Sequence, residues 1–430
     1  MKAGMMTPAD ETAWESHQAD AAVVPHQADS PHEPCQANPA CESRQAELAS
    51  GFPPADSADE PAWEPYRALY LHIPFCKQRC LYCDFATRAM PKDDASIDDY
   101  IERLVLDVRR AGRSGLLGAV ETVYIGGGTP SHIGPSRLSM LLYTLSLSMH
   151  LTPEVECTME ANPESLTPNM VRDLWALGVN RLSMGVQSFD DAVLRTLGRI
   201  HDADTARAAI AMAQERFENV SIDLMCGIPG QTLDSFTSDV REALRLGVRH
   251  VSVYPLMIEE GTPFDQAVCD GRLPMPDDDL QADMMEAAET ILRDAGMHRY
   301  EVASYAYPGF ESRHNQAYWT GVPYLGMGRS AVTMRQTAHC RERLRDGEVE
   351  ERLDRKQMLA EDLMLGMRRS VGVSCEQVDA VAAEIPETRA VFDSLIARGL
   401  VCLHEGRFQP TEEGWLRGNE VYGALLNLAP

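Results

Sequence analysis

Residues 69–85 read LYLHIPFCKQRCLYCDF and place three of the chain's 11 cysteines within eight residues. Cys76, Cys80 and Cys83 form a C-x3-C-x2-C pattern directly after an apolar run that is typical of a strand. Three thiolates on one loop can ligate three irons of a [4Fe–4S] cluster and leave the fourth iron open. A zinc ion, the alternative, prefers four protein ligands or three and a water. The stretch therefore favours an iron–sulfur site after the first strand.

The composition is that of a globular protein with an acidic surface. The chain has 430 residues, 44% of them hydrophobic, and a formal net charge of −26. This charge argues against nucleic acid or anionic lipid as a main partner, and no run of Lys and Arg forms a basic patch. No apolar run approaches the roughly 18–20 residues of a membrane-spanning helix. We expect no transmembrane segment, while peripheral membrane association stays open.

The cellular compartment is inferred from the cysteines and the N-terminus. The sequence MKAGMMTPADETAWES contains no basic region followed by a hydrophobic segment, so we predict no secretion signal. An odd number of cysteines in such a chain indicates free thiols in a reducing setting. We therefore expect a cytoplasmic protein.

Changes in composition divide the chain into three predicted parts. Residues 1–65 are rich in Ala, Pro, Glu, Asp and Gln and are predicted to be a disordered acidic tail. Residues 66–335 alternate apolar runs with amphipathic helical stretches, which predicts repeated βαβ units. Residues 336–430 combine helices with a short hairpin and are predicted to form a mostly helical, winged-helix-like domain.

Six apolar runs are predicted to be parallel strands, which suggests a partial (β/α)6 barrel within an α/β fold. In chain order, these runs are ALYLHI, TVYIGGG, VECTMEA, RLSMGVQ, VSIDLMCG and VSVYPLM. Parallel α/β folds place their chemistry at the carboxyl ends of the strands. The cysteine loop and the glycine-rich GGGTP stretch (residues 126–130) both follow such ends, and glycines allow backbone amides to approach a ligand closely.

With these motifs the sequence resembles the radical S-adenosylmethionine (SAM) superfamily from about Leu69 to the C-terminus. The resemblance implies that the cluster binds SAM through its open iron and cleaves it to a 5′-deoxyadenosyl radical. It also implies a set of SAM-contacting residues at successive strand ends: Tyr70, Tyr82, Gly127, Gly128, Thr129, Glu160, Gln187, Arg199, Asp223 and Met257.

Within the superfamily, the chain resembles the coproporphyrinogen oxidase-like branch and, most closely, the HemW-type haem chaperones. The oxidases of this branch carry a further cysteine where this chain has Phe85. The motif HNxxYW, which that resemblance links to haem, is formed by His314, Asn315, Tyr318 and Trp319. An imidazole can ligate haem iron, and aromatic rings can pack on the macrocycle.

One departure from the family pattern concerns a histidine. The stretch GMGRSAV ends in Val332, where the family has histidine, and valine can neither ligate a metal nor donate a proton. His339 is a candidate to replace it in space.

Four functional hypotheses follow. The first is a haem chaperone that binds haem, a [4Fe–4S] cluster and SAM and passes haem to an unknown acceptor protein. It also implies an unknown electron donor. The others are an oxygen-independent coproporphyrinogen III oxidase, a radical SAM enzyme with another substrate, and a zinc-stabilised α/β protein without radical chemistry.

Overall fold

The computed structural model describes residues 62–149, 151–152 and 154–430. Most of the predicted N-terminal tail lies outside the described residues. The strands are, in chain order, β1 (Ala68–Ile73), β2 (Phe75–Cys76), β3 (Arg88–Ala89), β4 (Thr122–Gly127), β5 (Glu156–Ala161), β6 (Arg181–Gln187), β7 (Asn219–Cys226), β8 (His250–Pro255), β9 (His298–Arg299), β10 (Ser304–Ala306), β11 (Tyr324–Met327), β12 (Val332–Gln336), β13 (Cys340–Arg345), β14 (Glu348–Asp354), β15 (Val373–Ser374), β16 (Val401–His404) and β17 (Arg407–Pro410).

The α-helices alternate with these strands through most of the chain. They are α1 (Ala95–Arg113), α2 (Pro135–Ser148), α3 (Pro168–Ala176), α4 (Asp191–Thr196), α5 (Ala203–Gln214), α6 (Leu233–Arg245), α7 (Pro263–Cys269), α8 (Asp278–Asp294), α9 (Arg313–Trp319), α10 (Arg355–Gly366), α11 (Cys375–Glu384), α12 (Thr388–Ala397), α13 (Glu412–Leu416) and α14 (Gly418–Leu426). Short 3-10 helices follow β4 and β5 at Pro130–Ile133 and Pro163–Ser165.

One sheet organises the larger part of the molecule. Its order is β14-β13-β12-β11-β1-β4-β5-β6-β7-β8-β10-β9. The strands from β11 through β1 to β8 pair in parallel, whereas both flanks are antiparallel. The six predicted strands are confirmed as β1 and β4–β8, and the α/β barrel class is confirmed with them.

The two faces of the sheet differ in chemistry because side chains alternate along a strand. Leu71, Ile125 and Met159 share the apolar outer face, where the helices cover them in the main hydrophobic core. The alternate positions are polar. Tyr124 is paired in register with Thr158, and Thr158 with Arg181. The inner face therefore carries polar side chains toward the concave side of the sheet.

The C-terminal part has its own hydrophobic core. Residues from Leu363 to Leu425 form a separate buried cluster around a small sheet of order β15-β17-β16. The predicted hairpin is observed as β16 and β17, which pair antiparallel across Glu405 and Gly406.

The boundary between the two parts stays a proposal. Residue 335, the predicted end of the barrel, lies inside β12, and the main sheet continues through β14 to Asp354. We propose Asp354 as the boundary. The described end of the N-terminal tail contacts the same region, since the Glu64 amide donates to the Gln336 carbonyl at 2.9 Å. No helix in the described part of the chain is long and apolar enough to cross a membrane.

Candidate cofactor site

The three clustered cysteines lie on one closed loop beyond the carboxyl end of β1. Cys76 ends β2, which pairs in parallel with β3, so that the ladder closes a loop carrying Cys80 and Cys83. The Met90 amide donates to the Cys76 carbonyl at 3.0 Å and continues the closure. The sequence spacing is thus converted into a compact loop at the strand end, where parallel α/β folds hold their ligands.

Each thiol of this loop has a different polar neighbour. The Thr129 hydroxyl donates to Cys76 Sγ at 3.5 Å, and the Arg199 guanidinium donates to Cys80 Sγ at 3.3 Å. Cys83 Sγ lies 4.0 Å from the Thr87 hydroxyl. Burial raises the pKa of Cys76 to about 11, so the free thiol is neutral. Hydrogen bonds and a nearby cation favour the thiolate that iron requires.

The thiols fit a cluster better than a single metal ion. All cysteines in the described residues are free, and no group of three His, Cys, Asp or Glu side chains there could hold one metal ion. A zinc ion needs its ligands to converge on one point. A [4Fe–4S] cube takes one thiolate on each of three irons and leaves the fourth iron open. The three free thiols of the loop therefore fit the donor set of such a cluster.

The glycine-rich stretch packs directly on the cysteine loop. Gly127 has a φ of +115°, and a Cβ there would lie 2.5 Å from Cε1 of His72. A Cβ on Gly128 would lie 2.9 Å from the backbone N and O of Phe75 and 3.0 Å from Cys76 Sγ. Only glycine permits these approaches. The predicted glycines are therefore adjacent to the thiols in space.

The carboxylate of Glu160 connects β5 to the glycine-rich stretch. The Tyr124 hydroxyl donates to Oε1 at 2.8 Å, and the Gly127 amide donates to Oε2 at 3.0 Å. Burial raises the pKa of Glu160 to about 7, and burial likewise raises the pKa of Asp223, on β7, to about 6. Both carboxyl groups can therefore change protonation near neutral pH.

Arg199 joins the cysteine loop to two strand ends. Besides Cys80, its guanidinium donates to Asn162 Oδ1 at 2.8 Å and to the Gly185 carbonyl at 2.5 Å. Gln187 closes β6 with a φ of +70°, at an irregularity in the pairing of β6 with β7. Such a left-handed residue at a strand end turns its side chain away from the regular ladder.

The remaining predicted SAM residues are spread around the same edge. The Tyr70 hydroxyl lies 2.9 Å from His72 Nδ1, and the Tyr82 ring is 6.5 Å from the Phe264 ring. Met257 is 52% exposed beyond the end of β8. The structure thus groups the glycines, Glu160 and Arg199 with the thiols and leaves Met257 at the rim.

Sequence reasoning missed two residues of this site. Asn162 donates to the Thr129 hydroxyl at 3.1 Å and also accepts from Arg199. Tyr124 holds Glu160 from the neighbouring strand. Tyr124 stands two positions before Gly126 and shares its strand face, so the twofold alternation of β4 could have identified it.

The residues of the HNxxYW motif lie at the opposite end of the strands. His314 belongs to α9 and is 1% exposed. Its Nδ1 is 2.9 Å from the hydroxyl of Thr122, the first residue of β4. Its backbone N–H donates to Glu156, the first residue of β5, at 2.9 Å. The motif therefore closes the amino-terminal end of the barrel strands.

The other motif residues contribute to packing around α9. The His314 ring lies between the Tyr124 ring at 5.0 Å and the Tyr318 ring at 5.1 Å. Trp319 Nε1 donates to a Glu301 carboxylate oxygen at 3.0 Å. The backbone N–H of Asn315 donates to the hydroxyl of Ser312, the N-cap residue of α9. In this arrangement the His314 ring presents no open face to a macrocycle.

The residues around the family departure form a hairpin at the sheet flank. Val332 begins β12. A Cβ on Gly326 would lie only 2.2 Å from the carbonyl oxygen of Val332. His339 is exposed in the turn between β12 and β13, where its amide donates to the Thr337 hydroxyl at 3.1 Å.

Comparison with known proteins agrees with this fold and site. The model of the radical SAM superfamily matches residues 70–243. The Heme chaperone HemW of Bacillus subtilis is 32% identical over 381 residues, which cover 84% of this chain and 99% of that protein. The Heme chaperone HemW of Mycobacterium tuberculosis H37Rv is 35% identical over 83% of this chain and 94% of that protein.

A solved structure agrees at the level of the fold. Coproporphyrinogen III oxidase (HemN) from Escherichia coli, described as a radical SAM enzyme, superimposes with a TM-score of 0.72 at 22% identity, over 90% of this chain and 94% of that one. The fold and the cysteine loop define a radical SAM protein. The matches to the two HemW proteins cover most of this chain and nearly all of each relative. The chain therefore belongs to the HemW family of heme chaperones.

Proposed function

We propose that the protein is a haem chaperone that binds a [4Fe–4S] cluster, SAM and haem, and that transfers haem to an acceptor protein. The observation that carries the cofactor part is the cysteine loop, whose thiols are contacted by Thr129 and Arg199 from other strand ends. The haem part rests on family membership, since relatives named heme chaperones align with most of this chain.

The chain's own residues would hold the two cofactors. Cys76, Cys80 and Cys83 would ligate the cluster, which would supply single-electron transfer to SAM. The glycine-rich stretch brings backbone amides close to the thiols, and the ionised Glu160 carboxylate would accept hydrogen bonds from the amino group of SAM. Arg199 holds the cysteine loop against the ends of β5 and β6. Asp223 would accept hydrogen bonds from the ribose hydroxyls.

Haem contact through HNxxYW stays a prediction. His314 and Tyr318 lie inside the fold, so that direct ligation by His314 requires α9 to move away from Glu156 and Thr122. The haem acceptor and the electron donor are unidentified proteins, and we place the protein in the cytoplasm.

The second candidate is an oxygen-independent coproporphyrinogen III oxidase, which shares the fold. One residue speaks against it. Phe85 occupies the position of the oxidases' further cysteine and is 58% exposed. Because its side chain is a phenyl ring, it offers the site neither a thiol nor a proton donor.

The test is an anaerobic haem titration of cluster-loaded protein, followed by the Soret absorbance. Saturable binding is expected. In parallel, the same protein is supplied with reductant, SAM and coproporphyrinogen, and no protoporphyrinogen is expected. A Cys76→Ala variant, which loses one cluster ligand, is the matched control for cluster dependence. Absence of saturable haem binding, or conversion of the porphyrinogen, would contradict the chaperone function.

A further inference from the structure

A continuous line of contacts runs from the HNxxYW motif to the cofactor site. His314 Nδ1 and the Thr122 hydroxyl are 2.9 Å apart, which fixes the orientation of the imidazole. The imidazole is stacked on the Tyr124 ring, with centroids 5.0 Å apart and an interplanar angle of 27°. The other motif ring, Tyr318, stands edge-on at 5.1 Å from the imidazole. His314 therefore supports one face of Tyr124.

Tyr124 transmits this support to the site. Its hydroxyl donates to Glu160 Oε1 at 2.8 Å, while Glu160 Oε2 accepts from the Gly127 amide at 3.0 Å. The Tyr70 ring is stacked with Tyr124 at 6.2 Å. Displacement of the Tyr124 ring would break its hydrogen bond to Glu160 Oε1. The carboxylate, which also accepts from the Gly127 amide, would then be held less firmly.

We propose that His314 is a positioning residue for the SAM site, acting through Tyr124 on the carboxylate of Glu160 and on the Gly127 amide. The HNxxYW motif would then couple the amino-terminal end of the barrel to the cofactors at its carboxyl end. This inference rests on the proposed SAM site.

The chemistry of the imidazole agrees with a positioning role. Burial lowers the pKa of His314 to about 3, so the ring is neutral. Its Nε2 is buried and has no hydrogen-bond partner among the described residues. A buried polar atom without a partner does not stabilise the fold. The useful features of the side chain are therefore its flat ring and the contact of Nδ1 with Thr122.

The experiment measures SAM affinity by equilibrium dialysis on cluster-loaded protein. Tyr124→Phe removes only the hydroxyl donor, and we expect SAM to bind about tenfold more weakly, because a hydrogen bond to a charged acceptor is lost. His314→Ala should weaken SAM binding in the same direction. His314→Phe keeps a flat ring over Tyr124 and should restore most of the affinity. The double variant His314→Ala/Tyr124→Phe should bind SAM no more weakly than the single variant that binds it more weakly.

His250→Ala is the matched control. This imidazole is also 1% exposed on the inner face, but it contacts Ser221 and Tyr300 at 2.7 and 2.8 Å instead of Tyr124. The His250→Ala substitution removes a buried ring of the same size, so its effect on SAM affinity measures the general loss of packing. We expect SAM affinity to stay within about twofold of wild type.

A pH profile gives a readout that packing alone would not move. SAM binding should weaken as the pH falls through the pKa of Glu160, which faces Tyr124, Asp223, Arg181 and the Gly127 amide. Loss of the Tyr124 hydroxyl removes a hydrogen bond to the carboxylate and raises that pKa further. The midpoint should therefore move to higher pH in Tyr124→Phe and His314→Ala and not in His250→Ala.

The outcomes separate the proposals. Wild-type SAM affinity in His314→Ala overturns the positioning role, and weaker haem binding in that variant would then support His314 as a haem contact. Equal losses in His314→Ala and His250→Ala also overturn it. If wild-type protein binds no SAM, the proposed function fails instead. Should His314→Ala not fold, wild-type SAM affinity in Tyr124→Phe, or a large loss of affinity in His314→Phe, would overturn the proposal.

Discussion

Replacing Gly128 with alanine is expected to prevent normal assembly of the [4Fe–4S] cluster while the rest of the protein stays folded. A Cβ at this position would stand 2.9 Å from two backbone atoms of Phe75 and 3.0 Å from Cys76 Sγ. Ordinary contact begins near 3.4 Å, so the two loops must separate by about 0.5 Å. No side-chain rotation relieves the clash with Phe75, because its atoms belong to the backbone.

The energetic cost of the substitution follows from this geometry. Overpacking a well-packed site costs about 1–3 kcal/mol, and a clash with backbone belongs at the upper end. Domains of this kind have about 5–15 kcal/mol of stability, so the barrel survives. The displacement falls on Cys76 itself, and a cluster tolerates little error in ligand position. We expect cluster occupancy to fall by at least half, with far-ultraviolet circular dichroism unchanged.

The assay is the iron and sulfide content per chain after anaerobic reconstitution, together with the visible absorbance of the cluster. Gly423→Ala serves as the control, since a Cβ there meets nothing within 4 Å inside α14. It should load the cluster like wild type and gain about 0.5–1 kcal/mol of stability, because alanine favours a helix. Full cluster content in Gly128→Ala would refute the close packing of the two loops.

Two further predictions concern ionisable groups. Glu160 has a folded-state pKa of about 7, above its ordinary value, so the folded protein binds this proton more tightly than the unfolded chain. Apo protein should therefore lose stability relative to Glu160→Gln as the pH rises from about 4.5, the ordinary pKa of a glutamate, to about 7, and the difference should be constant above that, measured by urea unfolding of both proteins across the range. Glu156 accepts the amides of Arg313 and His314, both at 2.9 Å, and holds the first turn of α9. Glu156→Gln should lower the free energy of unfolding by about 2–3 kcal/mol, because a charged acceptor becomes an amide that offers a donor to one N–H. The measurement is the urea midpoint.

Each of these predictions has a clear contrary result. A constant difference in stability between wild type and Glu160→Gln at all pH values would mean that folding does not raise the pKa of this carboxyl group. For α9, the control is Glu154→Gln, an exposed carboxyl two residues earlier. Equal effects of the two substitutions would show that the hydrogen bonds to the helix contribute nothing measurable.

Features that depend on local pattern were well predicted from the sequence. The six barrel strands appear where apolar runs alternate with helical stretches, and the C-terminal hairpin appears where two short alternating runs flank Glu405 and Gly406. The glycines of GGGTP contact the cysteine loop as their position after a strand implied. Strand ends of a parallel sheet meet at one edge, so residues far apart in the chain could be grouped by rule.

Features that depend on distant pairing were not predicted. β11 pairs in parallel with β1, and β12–β14 extend the same sheet. Nothing in a short edge strand such as Glu348–Asp354 indicates its partner, because its side chains are mostly exposed. Arg199 and Asn162 likewise meet only after β5 and β6 are packed side by side.

The sequence by itself determined the α/β class and the position of the cysteine loop and the GGGTP stretch at strand ends, because spacing and periodicity constrain local structure and strand ends. Only the tertiary structure decided where HNxxYW lies. The motif is local in sequence, but its surroundings come from β4 and β5, more than 150 residues earlier: Thr122 is 192 residues from His314, and Glu156 is 158. Burial and hydrogen bonding between such segments are properties of the folded chain, which is why a motif suited to haem in sequence is found inside the barrel.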